Sequence, residues 1–315
     1  MAKECKNSAI TVKERAEYAM VAAVLGLLAL LPHSSRVPLA GAVLARVAAP
    51  LLGWRKRIGA HLDLAMPDLP AAERQRLLRA VPNHMGRLFI ELFNPEDMRP
   101  IAAATPFKGA GVVALDKSLA QGRAVVCVSG HFGNYDVFRS ALVQRGFDVG
   151  ALYRPMNNRL FNARYERTIL SVGGRMFPRE RHGFAQMVRH LRAGKLLALL
   201  IDQHMSKGAR LSFFGQPANT AVSAAQLALK YDALLVPIYA VRKADGLGFA
   251  IEVESPVPHS DEETMTQALN DSLEAQVRRH PEQWLWTHRR WKALAQGVQV
   301  DEDDLDHGHD RDDGK

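Results

Sequence analysis

The sequence predicts an α/β protein, with a mixed, mainly parallel sheet flanked by helices and an N-terminal helical, membrane-associated region. Three observations predict it. Short, continuously apolar, β-branched runs such as Ala124-Val125-Val126-Cys127-Val128 recur along the chain, as strands buried on both faces do. Helical patterns separate these runs, which is the alternation of a layered α/β fold. Ahead of them stand two apolar stretches with basic residues at their flanks.

The first stretch, Tyr18 to Leu31, carries no charge over fourteen residues and closes at Pro32. That falls short of the roughly 20 residues a spanning helix needs. A secretory signal is the rival reading, since Lys3, Lys6, Lys13 and Arg15 precede the run, but Glu4, Glu14 and Glu17 interrupt the basic segment. The second stretch, Val37 to Trp54, is broken by Arg46 and ends in Arg55-Lys56-Arg57. A hydrophobic helix, a basic flank and an interfacial Trp54 describe an anchor lying in, or half inserted into, an anionic lipid surface. The alternative is a buried helical hairpin of a soluble protein. From Pro67 to Glu96 the pattern becomes a charged amphipathic helix starting at Pro70, with Leu77, Leu78, Val81, Met85, Leu88 and Leu92 at helical spacing.

Strands are expected at 124–128, 149–153, 196–201, 234–241 and 249–253, with helices at about 133–145, 158–172, 183–193, 221–231 and 261–279. This divides the chain into an N-terminal anchoring and helical region (1–100), an α/β domain (101–292) and an acidic tail (293–315). The tail lacks apolar periodicity and is expected to be disordered.

With 315 residues and 47% hydrophobic content, the chain can bury a sizeable core, which excludes wholly disordered and collagen-like classes. The formal net charge is +8, but residues 301–315 carry a net −6, leaving +14 on residues 1–300. A basic body of that size points to an anionic partner. Two cysteines, Cys5 and Cys127, are too few for a disulfide framework or a cysteine-based metal site, so a reducing compartment is the simplest reading.

Several chemistries are poorly supported. Gly109-Ala110-Gly111-Val112-Val113-Ala114 matches G-x-G-x-x-A, but no buried strand precedes it. Neither G-x-x-x-x-G-K-[ST] nor H-E-x-x-H occurs, and Ser129 lacks the first glycine of a nucleophile elbow. His307 and His309 belong to the solvated tail. No cofactor site and no metal site emerges.

The chemistry-bearing segment follows the 124–128 strand: Ser129-Gly130-His131-Phe132-Gly133-Asn134-Tyr135-Asp136. In open α/β sheets ligands gather beyond the carboxyl ends of the strands, which is where His131 falls. Asp136, in the first turns of the next helix, is expected to return its carboxylate to one ring nitrogen of His131. That pairing fixes the tautomer and raises the basicity of a general base. Asn134 and the amides at the helix start are candidates for orienting groups or stabilising an oxyanion. The competing structural reading has His131 satisfied in the core and Asp136 complementing the helix dipole.

At this point the sequence resembles a family. His131-Phe132-Gly133-Asn134-Tyr135-Asp136 is similar to the His-x4-Asp/Glu signature of the glycerolipid acyltransferase superfamily, in the form found in lipid A late acyltransferases and phosphatidylinositol mannoside acyltransferases. Tyr153-Arg154-Pro155, Gly173-Gly174-Arg175, Asp202-Gln203 and Phe213-Phe214-Gly215-Gln216-Pro217-Ala218 agree in order, as does the closing Pro281-Glu282-Gln283-Trp284-Leu285-Trp286-Thr287-His288-Arg289-Arg290-Trp291. The likeness runs from about residue 18 to 292.

The resemblance implies transfer of a fatty acyl chain from an acyl-carrier-protein thioester, or acyl-CoA, to a hydroxyl of a membrane glycolipid such as a lipid A precursor. The place implied is the cytoplasmic face of the inner (plasma) membrane. His131 would be the general base assisted by Asp136, with Arg175 and Asp202 helping to build the site and Arg154 and Arg175 meeting acceptor phosphates. The basic docking face would draw on Arg55, Lys56, Arg57, Arg179, Arg181, Arg289 and Arg290, serving an anionic membrane and an acidic carrier rather than nucleic acid. Trp284, Trp286 and Trp291 are candidates for the headgroup level or, more commonly at such spacing, for core packing. Alternatives are a lysophospholipid or other glycolipid acyltransferase, an ester or thioester hydrolase using His131 on water, and a non-catalytic peripheral membrane protein.

Overall fold

The computed structural model describes residues 10–292, so the acidic tail, its histidines and Cys5 lie outside the described residues. The chain begins with α1 (Val12–Ala29), started by a reciprocal cap in which Thr11 Oγ1 accepts from the Glu14 amide while Glu14 Oε2 accepts from the Thr11 amide. Next come α2 (His33–Val43), a π-helical turn at Leu44–Ala48, and the short α3 (Ala49–Leu51). Gly53, with φ +67°, then turns the chain through 91° into α4 (Trp54–Ala65). The long α5 (Ala71–Leu92) follows Pro70, and α6 (Pro95–Ala104) closes the helical region. Among the described residues no single helix is long and apolar enough to cross a membrane; the bent pair His33–Leu51 and Trp54–Ala65 meets that test jointly.

Of the α1 residues only Leu25 is buried, whereas Met20, Val24, Leu27 and Leu30 are exposed. Leu39, Val43, Val47 and Leu51 are exposed at four-residue spacing along the next helical run. These two segments therefore turn apolar stripes outward. The inner side of α2 packs on α5, where a Cβ at Gly86 would come within 2.6 Å of the Ala40 carbonyl oxygen.

The rest of the chain alternates as expected: β1 (Phe107–Lys108), α7 (Val112–Ala120), β2 (Val125–Ser129), α8 (Tyr135–Gln144), β3 (Val149–Tyr153), α9 (Arg159–Ser171), β4 (Arg175–Pro178), α10 (Arg181–Arg192), β5 (Leu196–Leu200), a hairpin of β6 (Ala209–Phe213) and β7 (Gln216–Thr220), α11 (Ser223–Lys230), β8 (Leu234–Arg242), β9 (Phe249–Val253) and α12 (Glu262–Arg279). Seven strands form one sheet in the order β1-β9-β8-β2-β5-β3-β4. All neighbours are parallel except β8 and β9, so the mixed, mainly parallel α/β class holds.

β2 lies centrally and every residue in it is buried. Val125 and Cys127 pack with α6 and α8 on one face, while Val126 and Val128 pack with α10, α11 and α12 on the other. Covering on both faces is why the run reads as continuous rather than alternating hydrophobicity. Burial raises the Cys127 thiol to about 12, consistent with an inert core side chain.

A third cluster joins Ile58, Leu62 and Leu77 from the helical region to Phe132, Phe213, Trp284, Trp286 and Trp291. The three tryptophans are core residues, so the headgroup placement does not hold: their rings fill the space between the helical region and the sheet. Arg290 is likewise fully buried, held by the Asn219 carbonyl at 2.8 Å and Thr220 Oγ1 at 2.6 Å. It belongs to the interior rather than to a docking face.

Candidate functional site

The site grows from the pairing of β2 with β5. Ser129 stands opposite Leu200 in this parallel pair, so the residues two positions beyond each strand end, His131 and Asp202, meet. Asp202 Oδ2 accepts from the His131 backbone amide at 2.8 Å, and Oδ1 lies 2.8 Å from His131 Nδ1. Trp284 Nε1 donates to Oδ2 at 2.9 Å. Burial pushes the Asp202 carboxyl upward, but the His131 ring and amide and the Trp284 indole outweigh it and hold it well below the usual carboxylate range. An ionised Asp202 requires the proton of neutral His131 to sit on Nδ1, leaving Nε2 as the available base.

The turn is locked from behind. A short bridge pairs Phe132 with Trp284; the Leu285 amide donates to the His131 carbonyl and the Gly133 amide to the Gln283 carbonyl. Gly133 has φ +57°, and a Cβ there would lie 2.0 Å from the Ala240 carbonyl oxygen, so glycine is required.

The expected His131–Asp136 hydrogen bond is not formed. Arg139, one helical turn on and almost fully buried, takes the Asp136 carboxylate through Nε at 2.6 Å and a second nitrogen at 3.2 Å. Arg139 also donates to the Gly173 carbonyl at 2.8 Å. A buried guanidinium needs a counter-charge, and Asp136 supplies it from three residues away while Asp202 serves His131. Asp136 still lines the cleft in front of His131.

Asn134 is buried and faces away from that cleft. Its side chain accepts from the Asp136 amide as the cap of α8 and donates to Glu91 Oε2 at 2.9 Å. The amides of His131, Gly133, Asn134 and Asp136 are all taken by acceptors within the protein, so they do not form an oxyanion hole. Gln203 is nearer the chemistry, with its amide nitrogen 3.5 Å from His131 Nε2.

Arg154 is exposed on the rim of the cleft, as is Arg179, whose guanidinium contacts Met205 Sδ. Arg175 is not there. It opens β4 opposite Gly150, which in turn pairs with Leu197, and it makes an ion pair with Asp148 at 3.4 Å. That register sets it level with Val126, five residues before His131, which at about 3.3 Å per residue is roughly 17 Å along the strand direction.

The cleft holds about 440 Å³. Its lining combines the polar His131, Asp136, Arg139, Arg154 and Gln203 with the apolar Phe138, Ala151, Ile169, Met176, Ala198 and Leu200. The Tyr135 ring stands edge-on to His131 with centroids 5.3 Å apart. A basic imidazole in a cleft with apolar lining is suited to chemistry on an ester or thioester of a long-chain acid.

Three groups behind the turn escaped sequence reasoning: Glu91, Arg242 and His84. Glu91 receives both terminal nitrogens of Arg242 at 2.6 Å, with all of these side chains buried. His84 Nε2 donates to the Gly133 carbonyl at 3.0 Å. Burial first, and Arg242 second, lower the His84 pKa to about 3. The unfolded chain therefore binds this proton more readily, so stability is complete above about pH 6.5 and falls as pH drops from there toward 3. The expected slope is about 1.4 kcal/mol per pH unit from this residue alone. Urea unfolding between pH 7 and 5 measures it, and a His84→Gln variant with the same slope as wild type would contradict the assignment.

Comparisons with known proteins identify a family and several relatives. The model of the family described as "Bacterial lipid A biosynthesis acyltransferase" matches residues 6–293. Similar proteins include a phosphatidylinositol mannoside acyltransferase of Mycobacterium tuberculosis, 27% identical over 76% of this chain and 78% of that protein. Two from Escherichia coli are a lipid A biosynthesis palmitoleoyltransferase, 26% identical over 82% and 85% of the two chains, and a lipid A biosynthesis lauroyltransferase, 27% identical over 77% and 80%.

Proposed function

The chain belongs to the bacterial lipid A biosynthesis acyltransferase family and is an acyltransferase, and from that premise we propose that it moves a fatty acyl chain from a carrier thioester to a hydroxyl of a membrane glycolipid. The observation that carries this reading is His131, tied through Nδ1 to Asp202 and presenting Nε2 to a cleft with apolar lining. The acceptor hydroxyl gives its proton to Nε2, and its oxygen attacks the thioester carbonyl. The carbon–sulfur bond then breaks and the departing thiolate takes the proton back from the imidazolium. Asp202 holds the ring and stabilises its charged form, while Asp136, through Arg139, fixes the wall facing it. The apolar lining receives the acyl chain, and Arg154 with Arg179 at the rim suits phosphates of the acceptor. A lipid A precursor is the proposed acceptor and acyl carrier protein, or CoA, the proposed carrier.

The outward apolar stripes of α1 and of α2–α3, next to Arg46, Lys56 and Arg57, support docking on an anionic bilayer, and the cytoplasmic face of the inner membrane is the proposed location. Purified protein supplied with acyl-carrier thioester and glycolipid acceptor should form acylated glycolipid, read by mass spectrometry. Equal thioester consumption with and without a hydroxyl acceptor would instead identify a hydrolase.

A further inference from the structure

A second cavity, of about 1020 Å³, lies across the Phe132–Asn134 turn from His131 and shares no lining residue with the catalytic cleft. It is reached from α5, the π-turn, α4 and the carboxyl end of β8, and His84, bonded to the Gly133 carbonyl, forms part of its wall. That wall is strongly cationic. Arg242 and Arg76 are neutralised by Glu91 and by Glu73 with Glu282. Arg46, Arg55 and Arg79 form no ion pair with a carboxylate among the described residues, and Arg87 and Lys243 feel Glu91 and Asp245 only at a distance, without a direct ion pair. Arg55 donates to the Ala45 carbonyl, and Arg87 to Asn83 Oδ1 and the Gly246 carbonyl. Arg55 Nε is buried and has no hydrogen-bond partner. Unpaired cations gathered around one concavity repel one another until an anion enters.

Position narrows the anion. Arg46 and Arg55 come from the bent segment whose Val43, Val47, Leu51 and Leu52 are exposed, so the mouth of the groove adjoins the apolar stripe. A protein partner would meet a flatter charged face, whereas a concavity beside an apolar rim fits a charged headgroup whose tails lie along that rim. We propose that this groove binds the phosphate of an anionic lipid headgroup at a site separate from the His131 cleft. The proposal rests on the membrane docking described above, but not on acyl transfer.

The test uses the full chain with phosphatidylcholine vesicles, plain or doped with phosphatidic acid, and reads binding by flotation. Arg79→Gln/Lys243→Gln should weaken phosphatidic-acid-dependent binding by about 30-fold, at about 1 kcal/mol per basic residue, and leave binding to plain vesicles unchanged. The control pair Lys117→Gln/Lys230→Gln, exposed on α7 and α11 outside both cavities, should change it by less than about twofold. Equal losses in the two pairs would reduce the groove to diffuse surface charge. Groove-dependent binding of inorganic phosphate with no vesicle effect would overturn the lipid source. Loss of acidic-carrier-protein binding with vesicle binding intact would assign the groove to a protein. Repeating the series in His131→Ala protein separates this site from the catalytic reading, because the vesicle result should be the same there.

Discussion

Replacing His131 with alanine is expected to lower acyl transfer by about 10²–10⁴-fold, the usual contribution of a positioned general base. The ring is partly exposed at the cleft, so the loss should come without loss of folding. Asp202→Asn should follow with a fall of about 10²-fold or more in kcat, because an amide cannot stabilise the imidazolium as a carboxylate does. It can also hold the wrong tautomer, offering its NH2 where Nδ1–H must donate. Asp136→Asn should cost less kcat than Asp202→Asn and more stability, since it removes the counter-charge of buried Arg139. Steady-state kinetics and unfolding on the same three proteins decide it. A larger kcat loss in Asp136→Asn than in Asp202→Asn would reassign the partner of the base.

The second large effect lies behind the site. Glu91→Ala should destabilise the fold by about 3–5 kcal/mol, the range for stripping one partner from a buried ion pair. It strips the Arg242 guanidinium of its only carboxylate partner among the described residues, leaving the Gly246 carbonyl, and the Asn134 amide of the Glu91 acceptor. The double variant Glu91→Leu/Arg242→Met should recover a large part of that loss, because no buried charge is left unpaired. Chemical denaturation measures both. A single-variant loss below about 1 kcal/mol would mean that water reaches the pair.

The sheet and the turn were readable because their signals are local. Continuous apolar runs mark β2, β5 and β8, since strands covered on both faces need uninterrupted hydrophobicity, while β3 is a weaker run and β9 a more alternating one. β1, β4 and the β6–β7 hairpin are not among the expected strands, as Phe107-Lys108, Arg175-Met176-Phe177-Pro178 and Gln216-Pro217-Ala218-Asn219-Thr220 carry no such run. His131 was placed correctly at a strand end, but its partner was not. Asp136 is near in sequence, whereas Asp202 reaches His131 through strand register, and no spacing rule reveals which strand is neighbour to which. The family resemblance implies Asp202 at the site without saying what it touches. Arg175 shows the opposite failure. A motif that follows the others in order lies away from the site, because the first residue of a parallel strand sits at its amino end, opposite the carboxyl edge that carries His131. Glu91 gave no warning at all: a lone acid late in an amphipathic helix reads as surface until a buried arginine is seen opposite.

The segment that latches the turn also governs when the enzyme can exist. Residues 283–285 bridge to Phe132, hold Gly133 and bond Asp202, yet they leave the ribosome after every strand of the sheet has been made. Domains fold as units from the N-terminal side during synthesis. The His131–Asp202 pair, although its own residues are made earlier, thus waits for Trp284. A nascent chain stalled before Trp284 therefore holds both His131 and Asp202 but lacks the segment that locks them together.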